Sequence, residues 1–240
     1  MTISVTTVGV VNTSLSKRQG MVDKQAVVTG QVYHVFSRSI AGYTIFNDPI
    51  EYSHMVNTVK FYTISEPPLK FSLFRKRHNS DFRKFQQLYH GTNQDNAFVR
   101  IIGYCIMPTH IHLIIQQKID DGLSRFMKTI LNSYCRYFNI KHKRKGPLWE
   151  SRFKKVLVET DEQLLHLTRY VHLNPCTANI VNSPHEWPAS SYKEYINGVV
   201  EGLCAFEDLL DIEPASYSEF VTERIDYQRD LARISHLLLD

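Results

Sequence analysis

Paired cysteines are missing from this chain. Its four cysteines, Cys105, Cys135, Cys176 and Cys204, are scattered without any CxxC spacing. That argues against a disulfide framework or a zinc knuckle and fits a reducing, cytoplasmic setting. No apolar run reaches membrane-spanning length, so no membrane partner is expected. The first 20 residues, MTISVTTVGVVNTSLSKRQG, have no basic stretch ahead of their apolar residues. A signal peptide is therefore not expected, and residues 1–25 read as a loose leader. Internal repeats and low-complexity tracts are also lacking. With 240 residues and 43% hydrophobic content, what remains is one compact domain with extensions, or at most two small domains.

Positive charge is nearly absent from the last 40 residues, which hold ten acidic residues against three arginines. The net charge of +4 therefore conceals a basic body of about +11 over residues 1–200. Residues 196–240 read as an acidic helical extension. The basic residues concentrate in LKFSLFRKRHNSDFRKF (69–85) and RYFNIKHKRKGPLWESRFKK (136–155). The second stretch sets eight Lys and Arg against Glu150 alone and interleaves Tyr137, Phe138, Trp149 and Phe153. Surfaces that follow a phosphate backbone and stack bases have this mixture. A solvated charged turn with core aromatics is the plainer alternative for one such cluster; two clusters favour nucleic acid. The candidate contacts are Lys141, Lys143, Arg144, Lys145, Trp149, Arg152, Lys154 and Lys155.

Between these clusters lies GYCIMPTHIHLIIQ (103–116). Side chains alternate along a strand, so His110 and His112 share one face while Ile111, Leu113 and Ile115 take the other. Pro108 separates two β-prone runs and predicts two strands meeting at a bend. Two surface histidines on a half-exposed strand would give this pattern. So would two neutral imidazoles gripping one metal ion.

The remaining pattern predicts an element order. QVYHVFSRSIA (31–41) alternates as a first strand. Asp48 as N-cap and Pro49 at the first helical position open a helix over 48–63. SEPPLK breaks it, and a basic, part-helical insert follows over about 66–95. After the two histidine strands come a helix over 121–143 and a strand over 152–160. Strand, helix, two strands, helix, strand is the split βαβ order of an α+β, ferredoxin-like antiparallel sheet with helices on one face. Residues 26–195 form this domain.

Thr160 and Gln163 then make a capping-box signature, and Pro175 is expected to end the helix that follows. At 100° per residue, Leu164, Leu165, Thr168 and Val171 form its core stripe, with His172 on the same side. Gln163, His166, Tyr170 and Asn174 fall on the opposite side, and Tyr170 and Asn174 project together one turn apart. A tyrosine there is either an anchor packed on a neighbouring strand or a group with chemistry to perform.

YCIMPTHIHLII (104–115) resembles the HUH motif, histidine–hydrophobic–histidine, of the single-tyrosine transposases of the IS200-like superfamily. GPLWESRF (146–153), RYVHLNPCTANIV (169–181), EWPASSY (186–192) and YHVFSRSIAGYTIF (33–46) are similar to its REP-associated branch. HxH alone is weak; the ordered blocks across residues 31–195 are specific.

The resemblance implies an HUH-type enzyme that binds single-stranded or hairpin DNA and cleaves it through a 5′-phosphotyrosine. It implies His110 and His112 as metal ligands, Asn174 as a third, Tyr170 as nucleophile, and Mg²⁺ or Mn²⁺ as the ion. His166 is a possible auxiliary group, ranked above His172. The implied location is cytoplasmic, on the nucleoid; monomer and dimer both stay open. Two alternatives remain: a nucleic-acid-binding module that has lost transposition, and a metal-dependent nuclease that hydrolyses without a covalent adduct.

Overall fold

The computed structural model describes residues 26–63, 67, 69–78, 97–197 and 202–229. The N-terminal leader and most of the basic insert lie outside these residues. Strand β1 (Val32–Arg38) leads through a short 3-10 turn to helix α1 (Pro49–Tyr62). Within the insert, helix α2 spans Phe71–His78. Strands β2 (Val99–Met107) and β3 (His110–Gln117) form a hairpin around Pro108 and Thr109. Helix α3 (Gly122–Lys141), strand β4 (Lys154–Val158) and helix α4 (Asp161–Thr177) follow. Two shorter helices follow, α5 (Tyr192–Asn197) and α6 (Pro214–Thr222).

The four strands form one antiparallel sheet in the order β2-β3-β1-β4. This is the expected ferredoxin-like arrangement, with β3 inserted between β1 and β2. Helix α1 begins as anticipated: the Asp48 side chain accepts from the Glu51 N–H, and Pro49, which has no N–H to lose, takes the first position. Helices α1 and α3 pack together over the sheet face that carries Ile111, Leu113, Ile115 and Gln117. The Gln117 side-chain carbonyl accepts from the Leu123 N–H at the start of α3, and the Tyr134 hydroxyl donates to the Ile45 carbonyl beneath α1.

Helices lie on both faces of the sheet, where the sequence pattern placed them on one. Helix α4 covers part of the histidine face, setting Tyr170 against His34 and His112. Gly103 explains the close approach on this side. A Cβ there would meet Ile114 Cδ1 at 3.3 Å and Ser191 Oγ at 3.6 Å. The Ser191 hydroxyl receives the Tyr104 N–H, and the Tyr195 hydroxyl donates to the Ile102 carbonyl, which fastens α5 and the chain before it to β2.

Helix α4 also runs past Pro175, which sits inside it, to Thr177. Proline removes one N–H from the ladder, and here the loss is tolerated because Pro175 is buried among packed neighbours. The stop comes from Asn179, whose φ of 53° leaves the helical region.

The acidic segment joins the core. Cys204, Phe206, Leu210, Tyr217 and Val221 are buried in the same cluster as the sheet. Arg100 on β2 donates from Nε to the Ala205 carbonyl and pairs with Asp208, while the Ala205 N–H donates to the Ile101 carbonyl. Among the described residues no helix is long and apolar enough to cross a membrane.

Candidate active site on the histidine face

Three strands build the site floor. Cross-strand register places His110 beside Arg38 and His112 beside Phe36, and sets Phe36 beside Lys154 and His34 beside Val156. Residues paired across a sheet share a face, so His34, Phe36 and Arg38 of β1, His110 and His112 of β3, and Lys154 and Val156 of β4 form one surface. Helix α4 covers only part of it: Val156 is 55% exposed, and Arg38 and Lys154 are exposed as well.

His112 is the best-buried member. Its Nδ1 lies 2.9 Å from His34 Nε2, and the two rings stack with centroids 5.2 Å apart. His110 meets His112 edge-on at 4.9 Å, and its Nδ1 lies 2.9 Å from Thr109 Oγ1. Burial disfavours the imidazolium form at all three. It holds His34 at about 4 and, with the charge of Arg38 adding to it, His110 at about 4. His112 is pushed well below the ordinary histidine range, by burial first and then by its histidine and arginine neighbours. All three are therefore neutral near pH 7, the state in which imidazole binds metal.

Tyr170 lies across this cluster. Its ring is edge-on to His112, with centroids 5.8 Å apart, and to His34 at 6.1 Å. The residue is 41% exposed, and its hydroxyl has no hydrogen-bond partner among the described residues. Three other tyrosines are engaged within the fold: Tyr134 donates to Ile45, Tyr192 pairs with Ser218, and Tyr137 stacks on His54 with centroids 3.6 Å apart. The Thr160 cap that positions this helix forms as read, with the Gln163 N–H donating to Thr160 Oγ1, while the Gln163 side chain receives the Glu159 N–H, one residue before the cap.

Asn174 donates from Nδ2 to the Tyr170 carbonyl, leaving Oδ1 as its remaining donor atom for a metal. Both imidazoles likewise have Nδ1 engaged, so Nε2 is the ligating atom each retains. Two imidazole nitrogens and an amide oxygen suit a divalent ion that keeps open positions. Among the described residues, no group of three His, Cys, Asp or Glu side chains is arranged to hold a metal by itself.

Other sequence candidates sit elsewhere. His166 faces Arg169, whose Nη2 lies 2.8 Å from its Nδ1, and the Phe220 ring. His172 is wholly buried between the Tyr217 and Ser191 hydroxyls, each 2.7 Å away, and burial lowers it to about 3. Lys141 is bound to Asp48 at 2.6 Å and to the buried Glu51 at 2.8 Å. Trp149 is partly buried, with its indole N–H on the Leu131 carbonyl, so it is a core anchor. Arg144 bonds Asn139 and the Pro147 carbonyl. Lys143, Lys145 and Arg152 are exposed. Strand alternation separates the two β4 lysines, placing Lys154 on the histidine face and Lys155 over the Tyr33 ring on the other.

Sequence reading missed His34, Phe36 and Arg38. The signal was present in VYHVFSR, where positions 34, 36 and 38 share a face. The expected strand order sets β1 beside β3; what it left open was the register that brings His34 within hydrogen-bond distance of His112.

The family model described as "Transposase IS200 like" matches residues 70–174. A Haemophilus influenzae protein whose name places it among the REP-associated tyrosine transposases is 30% identical over 119 residues, covering 45% of this chain and 67% of that protein. A solved structure of a REP-associated tyrosine transposase bound to a REP hairpin aligns with a TM-score of 0.48 at 15% identity, over 83% of this chain and 96% of that one.

Proposed function

The chain belongs to the IS200-like transposases, in their REP-associated tyrosine branch, and on that premise we propose that it cuts and rejoins single-stranded DNA beside a hairpin, with Tyr170 as nucleophile. The observation that carries this reading is the placement of a half-exposed tyrosine, its hydroxyl uncommitted, edge-on to His112 on a rigid sheet.

Phosphodiester transfer needs a nucleophile aligned with the leaving oxygen and charge neutralised on the phosphate. The Tyr170 oxygen attacks phosphorus and gives up its proton as the bond to the 3′-oxygen breaks. The products are a 5′-phosphotyrosine and a free 3′-hydroxyl. Because the phosphoester link is retained in the adduct, attack by that hydroxyl can reseal the strand. His110 and His112 through Nε2, and Asn174 through Oδ1, would hold a divalent ion, Mg²⁺ or Mn²⁺. When bound, the ion supplies charge neutralisation at the nonbridging phosphate oxygens. His34 acts one step back: as the acceptor of a hydrogen bond from His112 Nδ1–H, it keeps the His112 Nε2 lone pair free for the ion. Arg38 and Lys154 offer cations to the strand on the open part of this face, and Phe36 offers a ring between them.

Denaturing gel electrophoresis of the protein with labelled hairpin-flanked single-stranded DNA and Mn²⁺ tests the reading. A shifted, protease-sensitive adduct is expected from the native chain and none from Tyr170→Phe, which removes one oxygen and little volume. Cleavage without adduct would make the protein a hydrolytic nuclease; binding alone would leave a DNA-binding module.

A further inference from the structure

Arg38 stands directly across the β1–β3 ladder from His110, on the face that also carries His112. Burial comes first in holding both imidazoles below the ordinary histidine range, and the Arg38 charge adds to it at each. The guanidinium is therefore within electrostatic reach of both rings. It is exposed, and it has neither a hydrogen bond nor an ion pair among the described residues. Glu150 is close in the fold, but the link runs from the Glu150 N–H to the Arg38 carbonyl and not between the charged groups. Other arginines are engaged: Arg100 with Asp208, Arg144 with Asn139, and Arg229 with the Cys176 carbonyl. Lys154, the other cation these strands supply to the face, is separated from the histidine strand by β1. A free guanidinium beside imidazoles that would hold a divalent ion opposes that ion by like-charge repulsion. An anion close to both removes the opposition and is drawn to both.

We infer that Arg38 is a catalytic residue whose guanidinium takes the nonbridging oxygens of the scissile phosphate, and that this contact makes DNA and the divalent ion bind more tightly together than apart. The side chain suits the task. It is planar and permanently charged, and its forked N–H donors match two phosphate oxygens at once. Phosphoryl transfer leaves the protein little covalent chemistry to do, so cations positioned on the equatorial oxygens carry much of the rate. The bond from the Tyr170 oxygen to phosphorus forms as the bond from phosphorus to the 3′-oxygen breaks. The tyrosine proton leaves to solvent, the 3′-oxygen takes one up, and Arg38 keeps all its protons throughout. The coupling is reciprocal: the factor by which DNA raises ion affinity is the factor by which the ion raises DNA affinity. The inference rests on the cleavage reading above, and it gives Arg38 a duty distinct from that of cations that only follow the strand.

The test compares the full-length parent with Arg38→Met and Arg38→Lys. Isothermal titration calorimetry first measures Mn²⁺ binding without DNA. Arg38→Met removes the charge and keeps an unbranched stem, and it should bind Mn²⁺ about three- to tenfold more tightly than the parent. A damaged fold would not give that gain. Arg38→Lys, which keeps the charge, should bind Mn²⁺ like the parent. Single-turnover adduct formation on labelled hairpin-flanked single-stranded DNA should fall roughly 100- to 1000-fold in Arg38→Met, and Arg38→Lys should recover part of the loss. DNA affinity should drop only a few-fold, since one phosphate contact among several is removed. A substrate with methyl in place of one nonbridging oxygen at the scissile phosphate lacks the charge that Arg38 meets. On it the gap in rate between parent and Arg38→Met should narrow by about tenfold or more. Unchanged or weaker Mn²⁺ binding in Arg38→Met, or an equal rate deficit on both substrates, would overturn the assignment. A rate loss fully matched by lost DNA affinity would also overturn it, making Arg38 a backbone contact. Adduct formation at the parent rate in Arg38→Met would sink this inference alone, whereas no adduct from the parent would sink the cleavage reading with it.

Discussion

His34 Nε2 and His112 Nδ1 lie 2.9 Å apart across neighbouring strands. Both rings are neutral, so one nitrogen donates and the other accepts. Only donation by His112 leaves its Nε2 free for a metal. His34→Phe keeps a ring in place but removes the acceptor. It should weaken Mn²⁺ binding about 10- to 100-fold, measured by isothermal titration calorimetry, and release the His112 tautomer, seen in long-range ¹⁵N–¹H spectra of the metal-free protein. Unchanged affinity and tautomer would make His34 a packing residue.

Lys141 stands in the basic segment but serves the fold. Burial works to raise the Glu51 carboxyl, and hydrogen bonds from Lys141, the Asn47 N–H and His142 outweigh it, holding the group ionised below its ordinary range. Lys141→Met should cost roughly 1–3 kcal/mol by leaving a buried carboxylate short of a partner, read by urea denaturation, with little change in the salt dependence of DNA binding. Lys143→Glu with Lys145→Glu, at exposed positions, should do the reverse. A flattened salt slope in Lys141→Met at unchanged stability would return that residue to the DNA surface.

Truncation after residue 200 should destabilise the protein rather than release a basic surface. It removes Phe206, Leu210, Tyr217 and Val221 from the core, and full burial of a side chain of this kind contributes roughly 1.5–3 kcal/mol. It also takes Ala205 and Asp208 from Arg100 and the Tyr217 hydroxyl from His172. A much lower melting temperature, or an insoluble product, is expected. A truncated chain that melts like the parent and binds DNA more tightly would show the acidic segment to be a detachable competitor.

Acid should destabilise the protein from about pH 6.5 downwards. Burial lowers His54 to about 3, with the nearby charge of Arg75 adding to the effect, and burial alone lowers His172 to about 3. Between 6.5 and about 3 the unfolded chain takes up protons that the folded chain refuses. Each histidine then removes up to about 1.4 kcal/mol per pH unit. Glu51 acts in a lower window: its pKa is depressed on folding, so its contribution is complete above the ordinary glutamate range and is lost as pH falls through the folded value. His54→Gln should flatten the curve between pH 6.5 and 5 in denaturant titrations. A curve that stays level until carboxylates titrate would rule this out.

Local chemistry is legible in the sequence alone. Thr160 and Gln163, Asp48 and Pro49, and the alternation through His110 and His112 each depend on neighbours within a few residues, and the elements they announce are present. Element order is enough for the antiparallel sheet, since a split βαβ chain has few ways to close. The helical wheel places Tyr170 away from the stripe of α4 formed by Leu164, Thr168 and Val171, which are buried.

Only the tertiary structure decided which face α4 covers, that β1 brings His34, Phe36 and Arg38 beside the HUH histidines, and that Lys141 and Trp149 are tied into the fold. It also decided that an acidic segment beyond residue 200 supplies core side chains, although its charge made it read as a tail. The division has a physical cause. Caps, strand alternation and helix faces arise from torsions and spacings a few residues long, which the sequence carries explicitly. Whether a cation is free or a ring is open depends on which distant group folds against it, and that is settled when the core closes.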